Sequence, residues 1–120
     1  MAKTFTVTQA RALLPDLLER AAEFVALRAD ITEVSTALSS GARSPLGGVP
    51  ELKGWEARAH ELVGWFTGQG LQVKGLAPLL LDFPADLDGV EVLLCWLEGD
   101  PELAWYHRLD LGFAGRRPLP

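Results

Sequence analysis

Cysteine occurs once in these 120 residues and histidine only twice. The lone Cys95 excludes an intramolecular disulfide, and no zinc-finger, Walker, Rossmann or nucleophile-elbow pattern appears. Basic residues are outnumbered, 11 Lys and Arg against 16 Asp and Glu, for a net charge of -5. That balance argues against a broad surface for nucleic acid or anionic membranes, both of which need a basic patch. Long apolar runs are lacking too. The stretch Leu76 to Leu81 is far too short to span a bilayer and contains Pro78. Without a charged, apolar and cleavable N-terminus, the expectation is a cytoplasmic protein with neither nucleic-acid nor membrane partners. What is present is ordinary globular material, 48% hydrophobic and 22% charged. One domain over 1–120 has enough chain to bury a core without staples.

Met1 to Val7 is β-prone, and Thr8 offers an N-cap to a helix starting at Gln9. Leu13, Leu17, Ala21, Phe24, Leu27, Ile31, Val34 and Leu38 step by threes and fours, drawing one apolar stripe along a long helix. Pro15 predicts a kink or an early break. The segment Ser39 to Pro50, rich in Gly, Ser and Pro, reads as a loop. A second helix is expected from about Glu51 to Thr67, with Leu52, Trp55, Ala59, Leu62 and Phe66 as its seam and Gly68 and Gly70 ending it. The helical hairpin covers about 8–69. Trp65 and Val63 widen its apolar surface, which suits packing on a sheet or a homodimer through helices.

A β-meander of three to four strands follows over about 71–110, with a tail at 111–120. Leu71 to Lys74 alternates and ends at Gly75; Leu79 to Phe83 is the next strand. Pro84 to Gly89 reads as a turn before the strand from Val90 to Leu97. The last strand runs from Leu103 to Leu109. With Gly99 to Glu102 as a four-residue connection, Trp96 sits opposite Trp105; a slip of one residue pairs Cys95 with Trp105 instead. The first register joins apolar faces and is preferred. The fold class is α+β, a long antiparallel helical hairpin followed by a small antiparallel sheet.

The Phe5-Thr6 start, Leu13-Leu14-Pro15, Asp82-Phe83-Pro84, Cys95-Trp96, Trp105-Tyr106-His107 and Gly112-Phe113-Ala114-Gly115-Arg116 together resemble the bacterial family catalogued as domain of unknown function 2203. The likeness covers nearly the whole chain. It implies a prokaryotic cytoplasmic protein and carries over no activity and no catalytic residue. Arg117 replaces an expected glutamine.

Chemistry concentrates in the meander. If Phe83 pairs with Val90, Asp82 lies opposite Glu91, and Glu91 opposite Asp110 should pairing extend that far. Such a carboxylate row would suit a divalent cation such as Mg²⁺, Mn²⁺ or Ca²⁺; the alternative is a solvated or arginine-paired wet face. In the preferred register His107 joins Trp96 and Trp105 on the apolar face, with His60 of the second helix as a partner; the alternative is a hydrogen-bonded core histidine. In the slipped register Cys95 and His107 share a face with Leu93 between them, which admits a thiolate or Zn²⁺ site against the plainer reading of a small buried hydrophobe. Arg116 and Arg117 offer a phosphate or carboxylate site, or else neutralise the acidic face while Phe113 tucks in. With no catalytic set, the leading function is a non-enzymatic interaction or regulatory module. The alternatives are a divalent-metal protein or metal-dependent hydrolase using Asp82, Glu91, His107 and Asp110, and a small-anion binder at the arginines.

Overall fold

The computed structural model describes residues 4–120, so residues 1–3 of the β-prone start lie outside the described chain. Helices α1 (Val7–Ser39) and α2 (Val49–Gly68) precede strands β1 (Gln72–Leu76), β2 (Leu79–Leu87), β3 (Val90–Leu97), β4 (Trp105–Arg108) and β5 (Arg117–Pro118). The strands form one antiparallel sheet in the order β1-β2-β3-β4-β5. The α+β hairpin-then-sheet architecture is as expected, with a fifth strand drawn from the tail.

Helix α1 starts two residues earlier than the sequence reading. Thr6, not Thr8, is the cap: its hydroxyl accepts from Gln9 N at 3.0 Å while Gln9 Oε1 accepts from Thr6 N at 3.0 Å. This reciprocal box satisfies two otherwise orphaned donors at once. Helix α1 runs unbroken through Pro15. The bond that Pro15 cannot donate would have gone to the carbonyl of Arg11, and both residues are exposed, so water can serve there. Pro50 lies in the first turn of α2, where a missing N–H is no loss.

Only the near half of the hairpin lies on the sheet. Leu17, Ala21 and Phe24 of α1, with Leu62 and Phe66 of α2, are buried in one core with Leu81, Phe83, Leu94 and Trp96 of the inner sheet face. Arg28 marks the edge of this contact, its guanidinium gripping Glu98 at 2.6 and 2.8 Å and the Leu76 carbonyl at 2.7 Å. Beyond it the hairpin projects alone, giving a body 55 Å long and 25 Å across. Val34 is buried there but stands apart from the main core, and Leu38 is 41% exposed.

Three details fix the sheet. Strand β2 continues through Pro84 to Leu87, where the sequence reading places a turn. Pro84 is tolerated because its nitrogen faces the sheet edge, where Phe5 pairs in parallel by donating to the Pro84 carbonyl at 2.7 Å and accepting from Asp86 N. The turn shrinks to Asp88-Gly89, both with positive φ (53° and 83°), the conformation that a two-residue hairpin demands. Between β3 and β4 the connection is residues 98–104, longer than expected. Trp96 Nε1 donates to the Asp100 carbonyl at 2.9 Å, Asp100 Oδ2 accepts from Leu97 N at 3.0 Å, and Leu103 drops into the core. The added residues shift the register, so Cys95 and not Trp96 stands opposite Trp105.

Candidate functional site

The register decides what the outer face of the sheet, away from the helices, carries. Asp82 lies opposite Cys95, Cys95 opposite Trp105, and Leu93 opposite His107. With strand spacing near 4.8 Å, Asp82 on β2 and His107 on β4 flank β3 from either side. Their side chains meet over it, Asp82 Oδ2 standing 3.1 Å from His107 Nε2. Both are buried, at 2% and 4% exposure, and Cys95 beneath them is fully buried.

Hydrogen bonding assigns the protons. His107 Nδ1 lies 2.9 Å from the Arg108 carbonyl oxygen, which can only accept, so Nδ1 carries a hydrogen. The Nε2 contact with Asp82 then needs one further proton between the partners. The result is a neutral unit, imidazolium with carboxylate or imidazole with carboxylic acid, and neither ring nitrogen keeps a free lone pair. Burial pushes the Cys95 thiol up to about 11, the Asp82 carboxylate adds to the rise, and Arg116 opposes it. A thiol so held is a poor nucleophile, since the thiolate is the reactive form.

Above this floor lies an open cavity of about 420 Å³. Leu80 and Leu93 extend the floor beside Asp82 and His107. Leu109 and Phe113, 58% and 41% exposed, form an apolar wall from the chain after β4. Lys74, Asp110, Leu111 and Gly112 complete the lining. Asp110 is already paired with Arg108 at 2.9 Å.

Several sequence expectations take a different form. The carboxylate row does not assemble, because Asp82 faces Cys95 while Glu91 faces Asp86 at the exposed end of the hairpin. Asp110 lies beyond β4 in a turn. Among the described residues no group of three or more His, Cys, Asp or Glu is placed to hold a metal ion. His107 is on the outer face and not with Trp96 and the helices, and His60 is exposed on α2, so the two do not meet. Cys95 and His107 share a face with Leu93, as the slipped register requires. Arg116 is stacked between Trp105 and Phe113, 4.5 Å from each ring centroid, with Asp100 3.6 Å away. Arg117 is exposed on β5 opposite Tyr106. The tail thus folds across the sheet edge, its position held by Leu119 N donating to the Ala104 carbonyl at 2.8 Å.

A family model described as "Uncharacterized conserved protein (DUF2203)" matches residues 3–119. The chain belongs to DUF2203. No curated protein and no solved structure matches it. Among the described residues no helix is long and apolar enough to cross a membrane.

In this DUF2203 chain, Lys74, Leu109, Leu111 and Gly112 are among the cavity residues that the sequence reading missed. A signal for Lys74 was present in Gly75, because glycine inside an alternating strand often marks a bulge. Leu109 carried no local signal, whereas Phe113 reaches the cavity by the return of the tail over the sheet, which the sequence reading offered as the alternative to an anion site.

Proposed function

We propose that this protein is a non-catalytic binding module that receives a small molecule in the outer-face cavity. The observation that carries this reading is how the cavity's polar floor is held. Both nitrogens of His107 are engaged and Cys95 is a covered thiol, which leaves neither a free imidazole nor a thiolate there, while Asp82 Oδ1 is buried without a hydrogen-bond partner among the described residues and remains as an acceptor for a donor on a ligand. An apolar-walled concavity with a few fixed polar groups is the usual form of a small-molecule site. Screening a small-molecule panel by amide NMR tests it. Hits should move Leu80, Leu93, His107 and Phe113, and Leu109→Trp, which narrows the cavity from an exposed position, should abolish them. Hits that survive that substitution, or a panel with none, would count against the reading.

A second reading, a homodimer through helices, rests on the distal hairpin. Ile31, Leu52 and Trp55 are only half-buried, and among the described residues no strand covers them past Arg28. Pairing two such hairpins would complete a four-helix arrangement. Light scattering across a concentration series should show a dimer that Ile31→Glu dissociates; a monomer throughout would sink it.

A further inference from the structure

We infer that the ligand of the outer-face cavity is a small monocarboxylate with an aliphatic or aromatic body, its carboxylate met by Lys74. The inference rests on the binding reading above and adds the chemistry of the ligand. The charged groups around the cavity cancel in pairs: Asp82 with His107, Asp110 with Arg108, and Asp100 with Arg116 nearby. Lys74 is the exception, a lining cation with no ion pair among the described residues.

Its position follows from an irregularity in β1. Val73 pairs with Leu81 and Gly75 with Leu80, so Lys74 is the extra residue of a bulge. Bulges re-aim side chains next to functional sites. The bulge closes tightly, because a Cβ on Gly75 would stand 3.1 Å from the Pro78 carbonyl oxygen, closer than ordinary van der Waals contact. The ammonium is therefore presented at the rim of a cavity whose wall is leucine and phenylalanine and whose floor combines Leu80 and Leu93 with Asp82 and His107.

A single ammonium, a compact point charge, matches one negative charge. A phosphate monoester dianion would lack a second cation. The leucine and phenylalanine surfaces call for an apolar body behind the head group.

Three probes that share one body and differ in the head group test this: 3-phenylpropionate, 3-phenylpropionamide and 3-phenylpropylamine, titrated into the full chain and followed by amide NMR. The acid should bind about fivefold more tightly than the amide, the scale of one partly screened charge pair. The amine should bind most weakly. Lys74→Gln should bring the acid down to the level of the amide without changing the melting temperature, and Lys74→Arg should restore the preference. Equal binding of acid and amide at the cavity, or an amine that binds best, would overturn the carboxylate assignment while leaving the binding reading intact. No shift at Leu80, Leu93, His107 or Phe113 with any probe at millimolar concentration would overturn both.

Discussion

Asp82 and His107 lie 25 positions apart in sequence, yet their side chains meet at 3.1 Å over the intervening strand β3. Each buries the other, so truncating either leaves a polar group stranded. His107→Ala should cost about 3 kcal/mol, the scale of breaking a buried pair. Asp82→Asn should cost only about 1 kcal/mol, because an amide N–H can donate to the imidazole nitrogen that now accepts. Urea unfolding measures both. Equal costs for the two variants would mean that the pair is not joined through a proton.

Cys95 should resist thiol reagents in the native protein. Its rise from 9.0 to about 11 lowers the thiolate fraction about a hundredfold, and full burial adds to the protection. Labelling by a chromogenic disulfide should proceed only in denaturant. Rapid native labelling would place the thiol at the surface and contradict the register.

Glu98 links the sheet to α1 and makes stability pH-dependent in acid. Hydrogen bonds from Arg28, and then from Leu79 N, hold its carboxyl down at about 2 against an ordinary 4.5, with burial opposing. Because the folded value is the lower one, the stabilisation is complete above 4.5 and is lost as the pH falls through about 2. Across that window the wild type should lose stability more steeply than Glu98→Gln in denaturant titrations. Parallel slopes would show that the Arg28 contact does not form in solution.

Arg116 and Arg117 should behave differently despite their adjacency. Arg116→Ala removes a guanidinium stacked on two rings and should cost about 1 kcal/mol. Arg117→Ala alters an exposed side chain and should change stability by less than about 0.5 kcal/mol. Melting curves of the two variants compare them directly, and a more damaging Arg117→Ala would contradict the placement of β5.

The sequence made the helices legible because their stripes are local: the spacing of Leu17, Ala21 and Phe24, and of Leu62 and Phe66, is enough to show which faces go inward. Thr6 and Thr8 are both cap-type residues, but only Thr6 has a glutamine three positions on to close the capping box. The outer site was harder to read because it depends on register, and register was settled by contacts of the 98–104 connection. The indole of Trp96 bonds to the Asp100 backbone and Leu103 leaves the strand for the core, and neither event alters the alternation visible in the sequence. That shift moved His107 from the helix face to the outer face, while the continuation of β2 to Leu87 set Asp82 opposite Cys95 and dissolved the carboxylate row. The strand of the tail was marked only by Pro118, a residue suited to an edge.

The central claim is that the outer sheet face, above the Asp82–His107 pair, is where this protein binds its ligand. Amide NMR mapping of small-molecule hits on the wild type tests it most directly. The account predicts shifts confined to residues around the cavity, Leu80, Leu93, His107 and Phe113, with the amides of α1 and α2 unmoved. Hits that map instead to Leu18 and Val25, in the groove between α1 and the β3–β4 connection, would contradict it.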